Sequence, residues 1–166
     1  GIARAIVTNI KNIASGRRLV GASTITQQVA KNFLLSADVT IERKVKEAIL
    51  AFRIERALEK NRILELYLNE IYLGFGSYGV AAAALNYFNK SLDTLTIAEA
   101  AFLAALPKAP NNYNPFKHPK AARGRRDWVI GRMLKDEVIT AKDARIAKLT
   151  PLITRKRQET ECVKAE

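Results

Sequence analysis

With 166 residues, a net charge of +12 and a pI near 10.0, the chain fits one domain of roughly 100–200 residues and favours an anionic partner: nucleic acid, anionic lipid or a phosphate-bearing substrate. The apolar set AVILMFWYC makes up 48%, enough to exclude disorder over most of the length. A single cysteine, Cys162, excludes an internal disulfide framework, and a single histidine, His118, leaves too few ligands for a zinc site of ordinary spacing.

In chain order, the periodicity is helical almost throughout, with no alternating run long enough for a strand. A first helix is predicted over 2–14, stopping at Ser15-Gly16; it opens without a capping residue, the mark of a cut start. Thr24 and Gln27 fit a reciprocal capping box for a helix to Leu34. Its apolar stripe is Ile25, Val29 and Phe33. Thr40 caps a helix over 41–59, in which Val45, Ile49 and Phe52 recur at helical spacing. Asn61 caps the next, through Leu73, with Ile63, Leu66, Tyr67 and Ile71 on the buried side. Gly74-Phe75-Gly76-Ser77-Tyr78-Gly79 is a glycine-punctuated turn before the Ala-rich helix Val80 to Phe88, which is placed inside. Thr96 and Glu99 form a second capping box, for a helix that Pro107 ends. After a loop rich in proline and asparagine, Pro119 suits the first turn of a helix to Lys135. Thr140 begins a short last helix. The expected product is a compact all-α domain over 1–150, with 151–166 as a linker.

The charge is unevenly spread. Residues 1–37 contain Arg4, Lys11, Arg17, Arg18 and Lys31 and no acid; residues 38–73 are balanced, seven basic against seven acidic. An anion site is therefore expected to draw on the N-terminal third. Thr24, Gln28 and Lys31 fall at i, i+4 and i+7 on one helix face, with Asn32 beside Lys31. Taken alone, that spacing is more often a solvated polar face, but a capped N-terminus with a hydroxyl, an amide and an ammonium also suits an anion. Arg43 and Lys44 precede Glu47 by four and three residues, so both reach its carboxylate. This is either an exposed ion-pair cluster worth little or a carboxylate held by cations, suited to charge stabilisation or to a metal ion and phosphate oxygens. Trp128, Tyr67, Tyr72, Tyr87 and Phe88 read as core and interface rather than sugar platforms. Arg125 and Arg126 read as orienting their helix or contacting acidic groups.

Gly21-Ala22-Ser23-Thr24-Ile25-Thr26-Gln27-Gln28-Val29-Ala30-Lys31-Asn32 and Arg43-Lys44-Val45-Lys46-Glu47 resemble the second and third motifs of the bacterial peptidoglycan glycosyltransferases. Lys60-Asn61-Arg62-Ile63-Leu64-Glu65-Leu66-Tyr67-Leu68-Asn69-Glu70-Ile71-Tyr72-Leu73-Gly74 is similar to the fourth, and Arg125-Arg126-Asp127-Trp128-Val129-Ile130 to the fifth. The resemblance is nearest to the glycosyltransferase domain of class A penicillin-binding proteins. It implies a lysozyme-like helical fold and polymerisation of lipid II into glycan strands, with inversion and release of undecaprenyl pyrophosphate, at the outer (periplasmic or extracellular) face of the cytoplasmic membrane. By resemblance, Glu47 is the second family carboxylate, and Thr24, Gln28, Lys31, Asn32, Arg43 and Lys44 line the donor pyrophosphate and sugar site. The implied partners are lipid II, the growing glycan strand and the membrane surface. The resemblance also brings a divalent metal, Mg or Mn, with Glu47 as candidate ligand.

The chain departs from the family pattern in one respect. The first motif, Glu-Asp-x-x-Phe, which carries the general-base glutamate, does not occur in it, and no acid precedes Asp38. Glu47, gripped by two cations, is a poor substitute as a base. The chain is thus expected to be a fragment inactive alone, lacking the family's membrane helix and transpeptidase domain. Other readings remain: a silent module binding lipid-linked saccharide or a cell-wall partner, a helical nucleic-acid binder, and a lysozyme-like hydrolase. Low aromatic content and balanced charge in the middle third speak against nucleic acid, and hydrolysis lacks a carboxylic acid in an apolar pocket. Residues 1–23, with seven large aliphatic side chains among four basic ones, suit anionic lipid.

Overall fold

Capping chemistry fixes most helix starts. The computed structural model describes residues 23–33 and 40–155. Thr24 N–H donates to Gln27 Oε1 (2.9 Å) and Gln27 N–H to Thr24 Oγ1 (3.1 Å), the reciprocal pair expected from the sequence, and α1 begins directly after it, at Ile25–Phe33. Thr40 Oγ1 accepts from Arg43 N–H at the start of α2, Ile41–Ala57. Helix α3, Lys60–Glu70, begins one residue before the expected Asn61 cap, because the Glu59 carbonyl accepts from Ile63 N–H (3.0 Å). The helix expected over 2–14, the stretch 34–39 and the chain beyond 155 lie outside the described residues.

The chain divides at Glu70–Ile71 into two compact units. In the first, α1 packs on α2 and α3, and α2 touches α3. Its buried residues include Val29, Ala30, Ala51, Ile63 and Tyr67. Ile63 and Tyr67 fall on the face the spacing predicts. Helix α2 does not follow its apolar spacing. Val45, Ile49 and Phe52 are 51–60% exposed, while Glu47 and Ala51 are buried. Ile25 on α1 is likewise exposed, and Thr26 takes its place inside. On α2 the inward face is held by a paired carboxylate rather than by the apolar spacing, whereas α1 buries Val29 and Ala30 beside Thr26.

The second unit opens on the glycine turn, which folds the chain back, so α3 does not continue to Leu73. Gly74, Phe75 and Gly76 all have positive φ (83°, 52° and 65°), which reverses the backbone over three residues. Leu73 N–H donates to the Ser77 carbonyl and Gly79 N–H to the Ile71 carbonyl, both at 2.9 Å, and Tyr72 pairs antiparallel with Tyr78. Tyr87 Oη donates to the Leu73 carbonyl (3.0 Å) from helix α4, Val80–Phe88. A Cβ on Gly74 would stand 3.1 Å from that hydroxyl and from Pro110 Cβ, so the position requires glycine for space as well as for φ. Burial, reinforced by the nearby Tyr72 hydroxyl, pushes the Tyr87 phenol up to about 12.

Helix α5, Ile97–Ala105, is central. It gives Phe102 and Leu103 to a cluster with Leu73, Tyr87, Phe88 and Leu106. It gives the small Ala98 and Ala101 to Ile130 of α6, Pro119–Lys135, and to Ala144 and Ala147 of α7, Ala141–Leu149. Full burial of a Phe side chain such as Phe102 contributes about 1.5–3 kcal/mol, and the alanines let the helices approach closely. Short 3-10 turns occupy Leu92–Thr94 and Leu106–Lys108, the second holding Pro107 just past the end of α5. After Thr150 the chain runs without helix to residue 155, where Arg155 N–H donates to the Tyr87 carbonyl (2.9 Å).

Two polar devices tie this unit together. The Thr96–Glu99 capping box forms as expected, and Lys90 Nζ adds a charged hydrogen bond to Glu99 (2.8 Å). Arg126 is 0% exposed: its Nη1 donates to the Thr150 carbonyl (2.8 Å), and Nη2 to the Lys148 carbonyl (3.3 Å) and to Asp127 (2.7 Å). The guanidinium thereby satisfies carbonyls at the C-terminal end of α7, where positive charge is also favoured by the helix dipole. Its neighbour Trp128, expected in the core, is 54% exposed.

Burial pushes the Glu99 carboxyl up, but hydrogen bonds from Lys90 and Thr96 outweigh it and leave its pKa below the ordinary value. Its contribution is therefore complete above the unfolded-chain pKa and lost as pH falls through the lower folded one. Thermal unfolding followed against pH should show this acid limb shrinking in Glu99→Gln. Arg126→Met should cost about 1–3 kcal/mol in urea unfolding, through carbonyls left without donors. Arg126→Lys should not restore the loss, since one ammonium lacks the guanidinium fork. A cost under about 0.5 kcal/mol, the range of ordinary surface changes, would contradict this account.

Candidate active site

The candidate residues all lie in the first unit, on α1 and α2. A groove of about 600 Å³ is lined by Ile25 and Thr26 from the start of α1 and by Glu55 and Leu58 at the end of α2, with Lys60, Asn61, Ile63 and Leu64 of α3. The start of α1 and the end of α2 thus border one groove. Lys31 and Asn32 stand at the end of α1, and Arg43, Lys44 and Glu47 in the first two turns of α2, the helix that α1 packs against. Thr24 lies seven residues before Lys31, about 10 Å back along the helix, with Gln28 between. The hydroxyl end of the polar stripe adjoins Ile25 and Thr26, which line the groove.

The α2 cluster is not a surface ion-pair ladder. Glu47 is 2% exposed, Arg43 has a side chain 11% exposed, and Lys44 stays open at 56%. Arg43 Nε stands 3.4 Å from Glu47 Oε1, and Lys44 Nζ hydrogen-bonds Oε2. A buried carboxylate costs several kcal/mol in lost solvation unless it is paired. Here one buried and one exposed cation share it. The bland reading of an exposed cluster is thus wrong for Glu47, and the signal that distinguishes it is the lysine–arginine pair on one carboxylate in a helix whose apolar residues point away.

On α1, Lys31 and Asn32 are exposed and Thr24 and Gln28 are half-buried. The capping box uses Thr24 N–H and Gln27 N–H internally, so anion affinity at this helix rests on side chains more than on free backbone donors. The groove and its apolar lining of Ile25, Leu58, Ile63 and Leu64 were not legible in the sequence. They arise from the meeting of three helix ends, and no local pattern marks that.

A divalent metal finds a poor donor set. Both Glu47 oxygens face cations, and no group of three or more His, Cys, Asp or Glu residues that could hold a metal occurs among the described residues. A hard cation prefers several oxygen ligands, and these residues do not fit one.

Comparison with known proteins shows the family of the chain. The transglycosylase family profile matches residues 1–134, more than half of the chain. The chain belongs to the transglycosylase family. It is 55% identical to penicillin-binding protein 1A of Rickettsia felis over 166 residues, all of this chain and 21% of that protein. Penicillin-binding protein 1A of Aquifex aeolicus is 52% identical over 155 residues, 93% of this chain and 21% of that protein. The crystal structure of penicillin-binding protein 1A from Haemophilus influenzae matches with a TM-score of 0.57 and 35% identity, over 84% of this chain and 18% of that one. The chain thus spans about a fifth of the length of these curated relatives, and the all-α, lysozyme-like reading holds.

The burial pattern makes a differential prediction. Lys44→Ala, at an exposed ammonium, should change unfolding free energy by only about 0–1 kcal/mol. Glu47→Ala, which leaves Arg43 without that carboxylate, should cost about 3–5 kcal/mol. Equal effects in chemical denaturation would show that Glu47 is not the buried centre of the cluster.

Proposed function

We propose that the chain is the glycosyltransferase part of a class A penicillin-binding protein, polymerising lipid II into glycan strands in cell-wall synthesis. The observation that carries this reading is Glu47 buried between Arg43 and Lys44, in the motif order of a transglycosylase. Attack of an acceptor hydroxyl on the donor sugar leaves charge on a lipid pyrophosphate. Lys31, Lys44 and Arg43 are the cations to receive it, and preorganised cations are worth most where water is excluded. Glu47 acts by holding Arg43 and Lys44 in place. Gln28, Asn32 and the Thr24 hydroxyl supply neutral hydrogen bonds for sugar and phosphate oxygens.

The base that takes the acceptor proton is assigned to the family's first motif, whose pattern these 166 residues do not contain. The 166 residues by themselves are accordingly proposed to be inactive. Residues 1–150 are proposed as the glycosyltransferase region and 151–166 as the link toward a transpeptidase domain. The site of action is the outer face of the cytoplasmic membrane. No helix among the described residues is long and apolar enough to cross a bilayer. The exposed stripe Val45, Ile49 and Phe52, with Arg56 over the Phe52 ring at 5.5 Å, supports contact with the membrane surface. The stretch 1–23, read for the same role, lies almost wholly outside the described residues.

The test is lipid II polymerisation by the intact parent protein. Glu47→Gln should cut glycan-strand formation at least tenfold without unfolding the protein, whereas Asp136→Asn, at an exposed pair with Arg132 far along the chain, should leave it near the parental rate. Full activity of Glu47→Gln would overturn the role given to that carboxylate. An intact parent that binds lipid II but forms no strands would favour the second reading, a binding module for lipid-linked saccharide.

A further inference from the structure

Helix α6 turns one face into the core through Ala122, Arg126 and Ile130. Its outward stripe is Lys120, Gly124, Trp128, Gly131 and Lys135, spaced four, four, three and four residues apart, which keeps them on one side of a helix. Trp128 is the chain's one tryptophan and stands between two glycines. Apart from its chain neighbours and its own helix backbone, no heavy atom lies within 4 Å of where a Gly124 Cβ would be, and Trp128 is more than half exposed. Lys148 of α7 reaches the same face: its Nζ is 3.9 Å from the Cβ position at Gly131. Arg125 lies over the Trp128 ring at 3.9 Å from guanidinium carbon to centroid, and its buried Nε makes no hydrogen bond.

The charges on this face are gathered around the indole and unneutralised. Arg132 is paired with Asp136 (3.0 Å) and Arg123 with Asp127 (3.9 Å). Lys120, Arg125, Lys135 and Lys148 form no salt bridge with any carboxylate among the described residues. The cations flank a single exposed indole along about 22 Å of helix. A flat anionic partner suits this arrangement better than a discrete ligand. The indole adds an apolar body with one polar N–H, the combination that settles at the headgroup level of a bilayer. A soluble polyanion would make use of the cations but gain little from the ring.

We propose that the Trp128 face of α6 is a docking surface for an anionic lipid bilayer, with the indole at headgroup depth and Lys120, Arg125, Lys135 and Lys148 against lipid phosphates. It is separate from the exposed stripe of α2 and does not depend on the glycosyl-transfer reading.

Because Trp128 is unique in the chain, its emission reports on this face alone. The 166-residue chain is mixed with vesicles of phosphatidylcholine, or of phosphatidylcholine with phosphatidylglycerol. With the anionic vesicles, the emission should shift to the blue and acrylamide quenching should fall. Brominated acyl chains should quench it, and high salt should reverse the change. Neutralising Lys135 or Lys148 to Gln should weaken partitioning about fivefold each, the equivalent of about 1 kcal/mol per charge, and circular dichroism should confirm an unchanged helix content. Cosedimentation with unaltered Trp128 emission would overturn the proposal, because the membrane would then be met by another surface. A shift of equal size with phosphatidylcholine alone would overturn the electrostatic half. The same shift with polyglutamate or duplex DNA, without bromine quenching in vesicles, would overturn the lipid assignment in favour of a polyanion.

Discussion

The pairing of Glu47 with Arg43 and Lys44 is the constraint that shapes the first unit. A carboxylate almost wholly removed from water is tolerated only with charge beside it, and the two cations one turn earlier on the same helix supply that. Once Glu47 is inside, the rotation of α2 is decided, and Val45, Ile49 and Phe52 are carried to the surface. Position on the helix, solvent exposure of the apolar stripe and geometry of the cationic cluster are therefore one fact seen from three sides. The arrangement costs stability that an apolar inward face would have provided. That a chain retains such a cost at the residues of a transglycosylase motif is what links the packing to chemistry.

The second unit solves a different problem. Helix α5 is sorted into a large-residue end, with Phe102 and Leu103, and a small-residue side, with Ala98 and Ala101, so one helix serves two clusters. Arg126 works between layers: its stem crosses the interior and its guanidinium closes the end of α7. In both units a charged side chain takes an inward position on its helix, Glu47 on α2 and Arg126 on α6.

Where the residues themselves make the local structure, the sequence was easy to read. The capping boxes at Thr24–Gln27 and Thr96–Glu99, the cap at Thr40 and the proline at the start of α6 form as their chemistry dictates. So does the Ala-rich helix, whose Ala83, Ala84 and Tyr87 are buried. Misreadings occurred where tertiary partners overrule spacing. Trp128 sits outside because Arg126 and Ile130 already hold the inward positions of α6, and α3 stops at Glu70 because positive φ at three consecutive residues pulls Leu73 into a hairpin. In the candidate site, the motifs located the residues, but the burial of Glu47 and the groove beside Thr26 needed the helices to be assembled.

The hydrogen bond from Arg155 to the Tyr87 carbonyl has a mechanical meaning. The chain leaves α7 through carbonyls clamped by Arg126, then is fastened again at a residue whose own hydroxyl secures the glycine turn through Leu73. The chain is thus anchored twice in the same core, at Thr150 and again at Arg155. Tension applied to the polypeptide past Arg155 would be delivered to Tyr87 and the turn, rather than absorbed by slack in residues 151–155.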